Sequence, residues 1–139
     1  NGGEIYNNQV RSFGGGISIY NSNFRMFGGF IHDNNSGWGG GGIIVEGNSD
    51  VLMVAGEIYN NTGSSGAGIY FISQGINATL ANVYVSENVS YRKGGGIWIC
   101  STGNGDINLN EGVIFVDNSA STGGDDIYKE EWDKLSINK

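Results

Sequence analysis

The stretch Gly94-Gly95-Gly96-Ile97-Trp98-Ile99 is a run of glycines that leads directly into a short apolar segment. Four related stretches occur at similar spacing: Gly14-Gly15-Gly16-Ile17-Ser18-Ile19, Gly40-Gly41-Gly42-Ile43-Ile44-Val45, Gly66-Ala67-Gly68-Ile69-Tyr70-Phe71 and the more divergent Gly123-Gly124-Asp125-Asp126-Ile127-Tyr128. Glycine tolerates positive φ at corners where a β-carbon would clash. Each run therefore predicts a tight corner followed by a strand, and five copies indicate a repeat protein.

A second motif, an apolar residue followed by two variable residues and Asn, precedes each glycine run. Its copies are Ile5-Tyr6-Asn7-Asn8, Ile31-His32-Asp33-Asn34, Ile58-Tyr59-Asn60-Asn61, Val85-Ser86-Glu87-Asn88 and Phe115-Val116-Asp117-Asn118. The final Asn recurs at intervals of 26, 27, 27 and 30 residues. Its distance to the first apolar residue of the next glycine-led strand is 8 or 9 residues. We call this motif the Asn box.

Each repeat also contains two apolar residues separated by one position, which is the period of a β-strand. The pairs are Phe24/Met26, Val51/Met53, Ala78/Leu80, Ile107/Leu109 and Leu135/Ile137. Three short strands in about 27 residues, without helical periodicity, predict an all-β parallel β-solenoid of five coils that advance about 4.8 Å each. The expected single domain covers 1–139, with coils at approximately 1–27, 28–54, 55–81, 82–110 and 111–139.

Parallel stacking turns repeat positions into columns, and two columns carry structural predictions. Positions 26, 53, 80, 109 and 137 hold Met, Met, Leu, Leu and Ile, which predicts a buried interior stack. The invariant column is Asn8, Asn34, Asn61, Asn88 and Asn118. Asparagine amides can stack as a ladder, and Asn tolerates the left-handed conformation, so we expect these residues to form an Asn ladder at a left-handed corner.

The composition of the chain limits the classes of partner that it can bind. Lys+Arg 7 against Asp+Glu 14 gives a net charge of −7 without a basic run, which disfavours nucleic acid and anionic membranes as partners. No apolar stretch approaches the roughly 20 residues of a membrane span, so we expect no membrane insertion by this segment. Cys100 is the single cysteine and is interpreted as a small hydrophobe or idle thiol. No cofactor or metal is expected.

The two motifs together resemble the repeats of chlamydial polymorphic membrane proteins and of related adhesin-like surface proteins. Phe115-Val116-Asp117-Asn118, Gly94-Gly95-Gly96-Ile97 and Gly66-Ala67-Gly68-Ile69 carry the resemblance, although most boxes here begin with Ile or Val and the spacing varies. What the resemblance implies is a right-handed parallel β-helix in an extracellular or cell-surface stalk or adhesive passenger. That role is structural and non-catalytic.

An enzyme is the alternative, because parallel β-helices also carry polysaccharide lyases and glycosidases, which use clustered carboxylates, often with calcium. The third position of the Asn box holds Asn7, Asp33, Asn60, Glu87 and Asp117. Glu87 and Asp117 would lie on adjacent coils, but Asn60 interrupts the column. His32 is the single histidine and has no expected partners for zinc or nucleophilic chemistry. We therefore expect no catalytic site here.

A binding surface is predicted on the glycine-led strands, whose central residues should face outward. These residues are Ser18, Ile44, Tyr70, Trp98 and Tyr128. Three successive aromatics about 4.8 Å apart could bind sugar rings, peptides or neighbouring proteins. The alternative is cross-strand packing that stabilises the sheet. Both interpretations stay open at this stage, and Tyr70, Trp98 and Tyr128 form the candidate aromatic strip for a protein or glycan partner.

The remaining expectations concern the ends and modification. Neither end has an obvious polar cap, so we expect flanking coils or self-association there. Sequons occur at Asn34, Asn60, Asn77 and Asn88. Since Asn34 and Asn88 belong to the stacked column, Asn60 and Asn77 are the expected acceptors of glycans if the source is eukaryotic.

Overall fold

A computed structural model describes residues 2–100, 105–130 and 135–138, and these ranges contain strands, turns and bends but no helix. The described strands, in chain order, are β1 (Glu4–Tyr6), β2 (Gln9–Val10), β3 (Ile17–Tyr20), β4 (Asn23–His32), β5 (Asn35–Ser36), β6 (Ile43–Glu46), β7 (Asp50–Tyr59), β8 (Thr62–Gly63), β9 (Ile69–Phe71), β10 (Asn77–Leu80), β11 (Val83–Ser86), β12 (Val89–Ser90), β13 (Ile97–Ile99), β14 (Ile107–Leu109), β15 (Ile114–Val116), β16 (Ser119–Ala120), β17 (Ile127–Lys129) and β18 (Leu135–Ile137).

Strands of successive coils pair in parallel and form three sheets. The large sheet has the order β1-β4-β7-β10-β14-β18, with β11 and β15 beside that path; β11 pairs with β7 and β15. The short sheet has the order β2-β5-β8-β12-β16, and the glycine-led sheet has the order β3-β6-β9-β13-β17. The chain is therefore an all-β parallel β-solenoid of about five coils, with three strand positions in each coil, as the sequence predicts.

One detail of the coil differs from the sequence interpretation. The Asn box and the alternating apolar pair both belong to the large sheet, and in β4 and β7 they merge into one strand of 10 residues. Besides the large-sheet strand and the glycine-led strand, each coil has a third strand position. It is a two-residue strand directly after the last Asn of the box, such as β12. Two residues are too few to show a period-two pattern, so the short sheet has no signature in the sequence.

The predicted columns pair in register. Ile97 aligns with Ile69 on one side and Ile127 on the other, and Met53 aligns with Met26 and Leu80. Met53 and Leu80 are fully buried, and Leu109 is 3% exposed. Ile137 is 60% exposed, so the prediction of a buried column is wrong at that position. It pairs on only one side, with Leu109, and no described strand lies on its other side.

The Asn ladder is confirmed. Asn61 Nδ2 donates to Asn88 Oδ1 at 3.0 Å and to the carbonyl oxygen of Ile31 at 3.0 Å. Asn61 Oδ1 accepts from both the backbone N and Nδ2 of Asn34, at 3.1 Å each. The same side-chain contact joins Asn8 to Asn34 and Asn88 to Asn118. Because buried amides need partners, the side chains of Asn34, Asn61 and Asn88 depend on the coils above and below them.

The expected left-handed corner occurs one residue earlier than predicted. Positive φ is found at the third position of every Asn box, not at the ladder asparagines: Asn7 (φ 57), Asp33 (φ 53), Asn60 (φ 51), Glu87 (φ 54) and Asp117 (φ 53). Asn and Asp enter this region more easily than other residues with a β-carbon. The Asn and Asp residues of this column therefore have a backbone role, while the following Asn supplies the ladder.

Candidate functional site

The three residues of the predicted aromatic strip lie on the outer side of the glycine-led sheet. Tyr70 on β9 aligns with Trp98 on β13, and Trp98 aligns with Tyr128 on β17. The rings of Tyr70 and Trp98 are stacked, with centroids 4.6 Å apart and an interplanar angle of 6°. Tyr128 meets Trp98 edge-on at 6.3 Å. The structure therefore brings the three predicted side chains into one contiguous cluster.

The turns before the glycine-led strands fold back over this outer side. The first glycine of each triplet has positive φ, for example 53° at Gly66 and 64° at Gly94. A β-carbon on Gly66 would lie 2.8 Å from Tyr70 Cβ, and one on Gly94 would lie 2.8 Å from Trp98 Cβ. A β-carbon is therefore excluded at both positions by conformation and by space.

Because these turns cover the outer side of the sheet, one expectation about exposed residues is wrong. Tyr70 is 4% exposed and Ile44 is fully buried, although both point away from the interior cluster of the solenoid. The backbone of Gly39 lies against the Tyr70 ring, since a β-carbon there would be 2.7 Å from Tyr70 Cδ1. The expected exposure of the outward-facing residues is therefore wrong for Tyr70 and Ile44, whereas Trp98 and Tyr128 are half-buried and Ser18 is exposed.

Two aromatic residues from the turns enlarge the cluster. Phe13 lies 6.1 Å from Tyr70 between ring centroids, and Trp38 meets Phe13 edge-on at 5.3 Å. Trp38 is 62% exposed, so it offers accessible ring surface. The sequence analysis missed both residues. Their signal is positional: each lies in a turn that precedes a glycine run, where the other coils carry polar or small residues.

A cleft of about 340 Å³ lies between these turns and the strand aromatics. We call it the aromatic cleft and define it by the residues that line it: Phe13, Trp38, Ser64, Ser65, Tyr70, Arg92 and Trp98. Ser64 and Ser65 are the small residues of the cleft, and they occupy the turn of the coil between those of Trp38 and Arg92. The opening therefore follows from small side chains in one turn between larger ones in its neighbours.

The cleft has a basic rim. Lys93 Nζ lies 4.3 Å from the centroid of the Tyr128 ring and 5.9 Å from that of Trp98, and it forms an ion pair with Glu130 at 3.5 Å. Hydrogen bonding to the Tyr128 side chain raises the pKa of Lys93, and the Glu130 carboxylate adds to this. Lys93 is thus held as a cation over the aromatic rings. Arg92 is exposed and forms no ion pair with the described residues.

Two buried polar groups lie within the aromatic cluster. The indole N–H of Trp98 is buried and has no hydrogen-bond acceptor among the described residues. Burial raises the pKa of the Tyr70 hydroxyl far above its usual range, with a further contribution from the nearby Cys100 side chain. Tyr70 therefore stays neutral at physiological pH and acts as a packing and hydrogen-bonding group, not as an acid or base.

A second aromatic column lies on the large sheet, around the single histidine. The His32 ring is stacked between Tyr6 at 5.2 Å and Tyr59 at 4.7 Å, with interplanar angles of 4° and 2°. His32 Nδ1 contacts Asp33 Oδ2 at 2.6 Å. The sequence analysis did not recognise this stack. Burial raises the pKa of Tyr59, and the Asp33 and Glu4 carboxylates raise it further.

The carboxylates proposed for the enzyme alternative form no metal site within the described ranges, where no cluster of three His, Cys, Asp or Glu side chains is suitable for a metal ion. Glu87 and Asp117 occupy left-handed corner positions of adjacent coils. The expected glycan acceptors Asn60 and Asn77 are exposed, whereas Asn34 is 1% exposed and Asn88 fully buried. Asn60 donates a hydrogen bond to Asp33 Oδ1, and Asn77 Nδ2 donates to Asp50 Oδ1 at 3.3 Å.

Two other clefts, each of about 420 Å³, lie in the first and last described coils and are lined by apolar residues such as Met26 and Ile137. They contain residues of the interior columns. Among the described residues, no helix is long and apolar enough to span a membrane. Comparisons with protein-family models, with curated proteins and with solved structures found no match. The fold is therefore established by the strand pairing of this chain itself.

Proposed function

We propose that this domain is a non-catalytic β-helix scaffold of the cell surface or extracellular space, and that it contacts a protein or glycan through the aromatic cleft. The observation that carries the proposal is the aromatic cluster outside the interior core. Tyr70, Trp98, Tyr128, Phe13 and Trp38 lie together on one outer side of the solenoid, and Trp38 is 62% exposed. Aromatic side chains with partly exposed surface are common at recognition sites.

The solenoid supports this role because it fixes the aromatic side chains in space. β9 and β13 are each paired on both sides, so Tyr70 and Trp98 project from rigid strands. A preformed surface loses little conformational freedom when a ligand binds. The cell-surface location and the adhesin-like role rest on the resemblance of the Asn boxes and glycine runs to chlamydial polymorphic membrane proteins, and they belong to this proposal.

The test compares wild type with a Trp38→Ser, Tyr128→Ser double variant in a cell-adhesion assay and on a glycan array. Both residues are at least partly exposed, so their truncation removes contact surface with little loss of packing. Tyr84→Ser is the matched control, because Tyr84 is 42% exposed on the large sheet, away from the cleft. We expect binding to be lost in the double variant and kept in the control.

Equal binding by wild type and a folded double variant would contradict the contact site. The enzyme alternative is examined with the same preparations, by incubating them with acidic polysaccharides with and without calcium. Calcium-dependent cleavage that is abolished by Glu87→Gln or Asp117→Asn would replace the scaffold by a carbohydrate-active enzyme. We expect no cleavage.

A further inference from the structure

We propose that the ligand of the aromatic cleft is a carboxylated saccharide, whose carboxylate is bound by Arg92 while its ring packs against the aromatic side chains. The inference rests on the proposed function, because it assigns a ligand class to the same cleft. It applies equally to uronic-acid units within a polysaccharide and to acidic sugars at the ends of glycans. These two sources share one chemistry, a pyranose ring that carries a carboxylate.

The charge at the cleft is opposite to that of the chain as a whole. The chain has a net charge of −7, yet the residues that line the cleft include one arginine and no Asp or Glu. Lys93 beside it is neutralised by Glu130 at 3.5 Å, but the guanidinium of Arg92 forms no ion pair with the described residues. A free guanidinium beside an apolar surface favours a carboxylate, which it can bind through two parallel hydrogen bonds.

The shape of the cleft favours a compact ring over an extended peptide. Its volume of about 340 Å³ is in the range of small-ligand sites. Peptides commonly add to an unpaired strand edge. β9 is paired with β6 and β13, and β13 is paired with β9 and β17, so neither strand under the cleft has a free edge. The accessible ring surface of Trp38 can instead pack against the C–H face of a pyranose.

The polar groups of the cleft suit the hydroxyl groups of a sugar. The side-chain hydroxyls of Ser64 and Ser65 form no hydrogen bond with other described residues, so both are available to a ligand. The indole N–H of Trp98 also lacks an acceptor among the described residues, but it is buried away from a ligand in the cleft. A hydroxylated ring that bears one carboxylate matches this set of groups.

The experiment measures binding by titration calorimetry with two matched pairs of probes. One pair is oligogalacturonate and its methyl ester, and the other is sialyllactose and lactose. We expect wild type to bind at least one carboxylated probe about tenfold or more tightly than its neutral partner, as a charge-assisted contact implies. Arg92→Gln should abolish this preference. Arg25→Gln removes the same charge from the large sheet and should keep it.

Ser64→Leu provides a second test, because it fills the opening of the cleft without changing charge. We expect it to weaken binding of the preferred acidic probe about tenfold or more, with an unchanged circular dichroism spectrum. Equal affinity for charged and neutral members, an unchanged preference in Arg92→Gln, or binding of neither acidic probe would overturn the inference. So would binding of a poly-glutamate peptide in place of both saccharides.

These outcomes are separable from failure of the proposed function. If neutral saccharides bind wild type as tightly as acidic ones, and the Trp38→Ser, Tyr128→Ser variant loses both, the cleft remains the contact site and only the carboxylate assignment fails. If the double variant keeps all binding and adhesion, the contact site itself is wrong. The source of the saccharide is given by which acidic probe binds.

Discussion

The left-handed residue of each Asn box shows how one backbone angle selects a side chain. Four of the five positions hold Asn or Asp, and these residues have positive φ between 51° and 57°. Asn and Asp tolerate this conformation because their short side chains can form hydrogen bonds with the nearby backbone. Glu87, at φ 54°, is the exception. Its longer side chain does not gain the local hydrogen bonds that favour Asn and Asp in this conformation.

We predict that Glu87→Asn stabilises the protein by about 1 kcal/mol, because the substitution relieves a conformational penalty of that order. The measurement is the midpoint of urea denaturation, followed by circular dichroism. Glu57→Asn is the control: Glu57 is also an exposed glutamate, but it lies within β7 and has no positive φ. A lower midpoint for Glu87→Asn than for wild type would show that Glu87 makes a contact worth more than its backbone strain.

The Asn ladder holds the short sheet and the large sheet in register at their shared corner. The buried amides of Asn34, Asn61 and Asn88 each donate to the next coil and accept from the preceding one, so none of these rungs is satisfied by its own coil. Stability of this corner is therefore a property of adjacent coils, as in other solenoids.

We predict that Asn61→Ala lowers the free energy of unfolding by about 1–3 kcal/mol, since it removes the middle rung and leaves buried neighbours without partners. Thermal and urea denaturation provide the measurement. The control is Asn23→Ala, which changes an exposed asparagine of β4 and should have little effect. An unchanged melting temperature for Asn61→Ala would mean that water or a rearranged neighbour replaces the lost bonds.

At the level of elements, the strands that carry an apolar pattern were predictable from the sequence, and the strands without such a pattern were missed. The columns of Met53 and Ile97 were predictable because parallel stacking places like residues above one another. The two-residue strands of the short sheet were not, because their pairing depends on the ladder corner and not on apolar alternation. The merger of two segments into β7 was missed because Gly56 lies between them, and a glycine inside a strand pattern suggests an interruption.

The aromatic cleft belongs to the whole molecule, because it is assembled from turns and strands of different coils. That the Tyr70, Trp98 and Tyr128 side chains share one face followed from their column, and this was predictable. That Gly39 would cover Tyr70, and that Phe13 and Trp38 would complete the cluster, depends on the path of each turn over the sheet. No local pattern encodes that path, so the exposure of the strip was beyond sequence analysis.

The interior column that contains Met53 allows one prediction for the solenoid as a whole. Residues of this column have the same place in successive coils but differ in exposure: Leu80 is fully buried, while Ile137 is 60% exposed. We predict that Leu80→Ala lowers the free energy of unfolding by about 2–5 kcal/mol, because it leaves a cavity between two paired coils. Ile137→Ala should lower it by less than about 1 kcal/mol, since little packed surface is lost.

Urea denaturation of both variants, with comparable m-values, provides the measurement. Equal losses would mean that Ile137 is covered in solution, by residues outside the described ranges or by a second copy, and dilution of the sample would then distinguish the two.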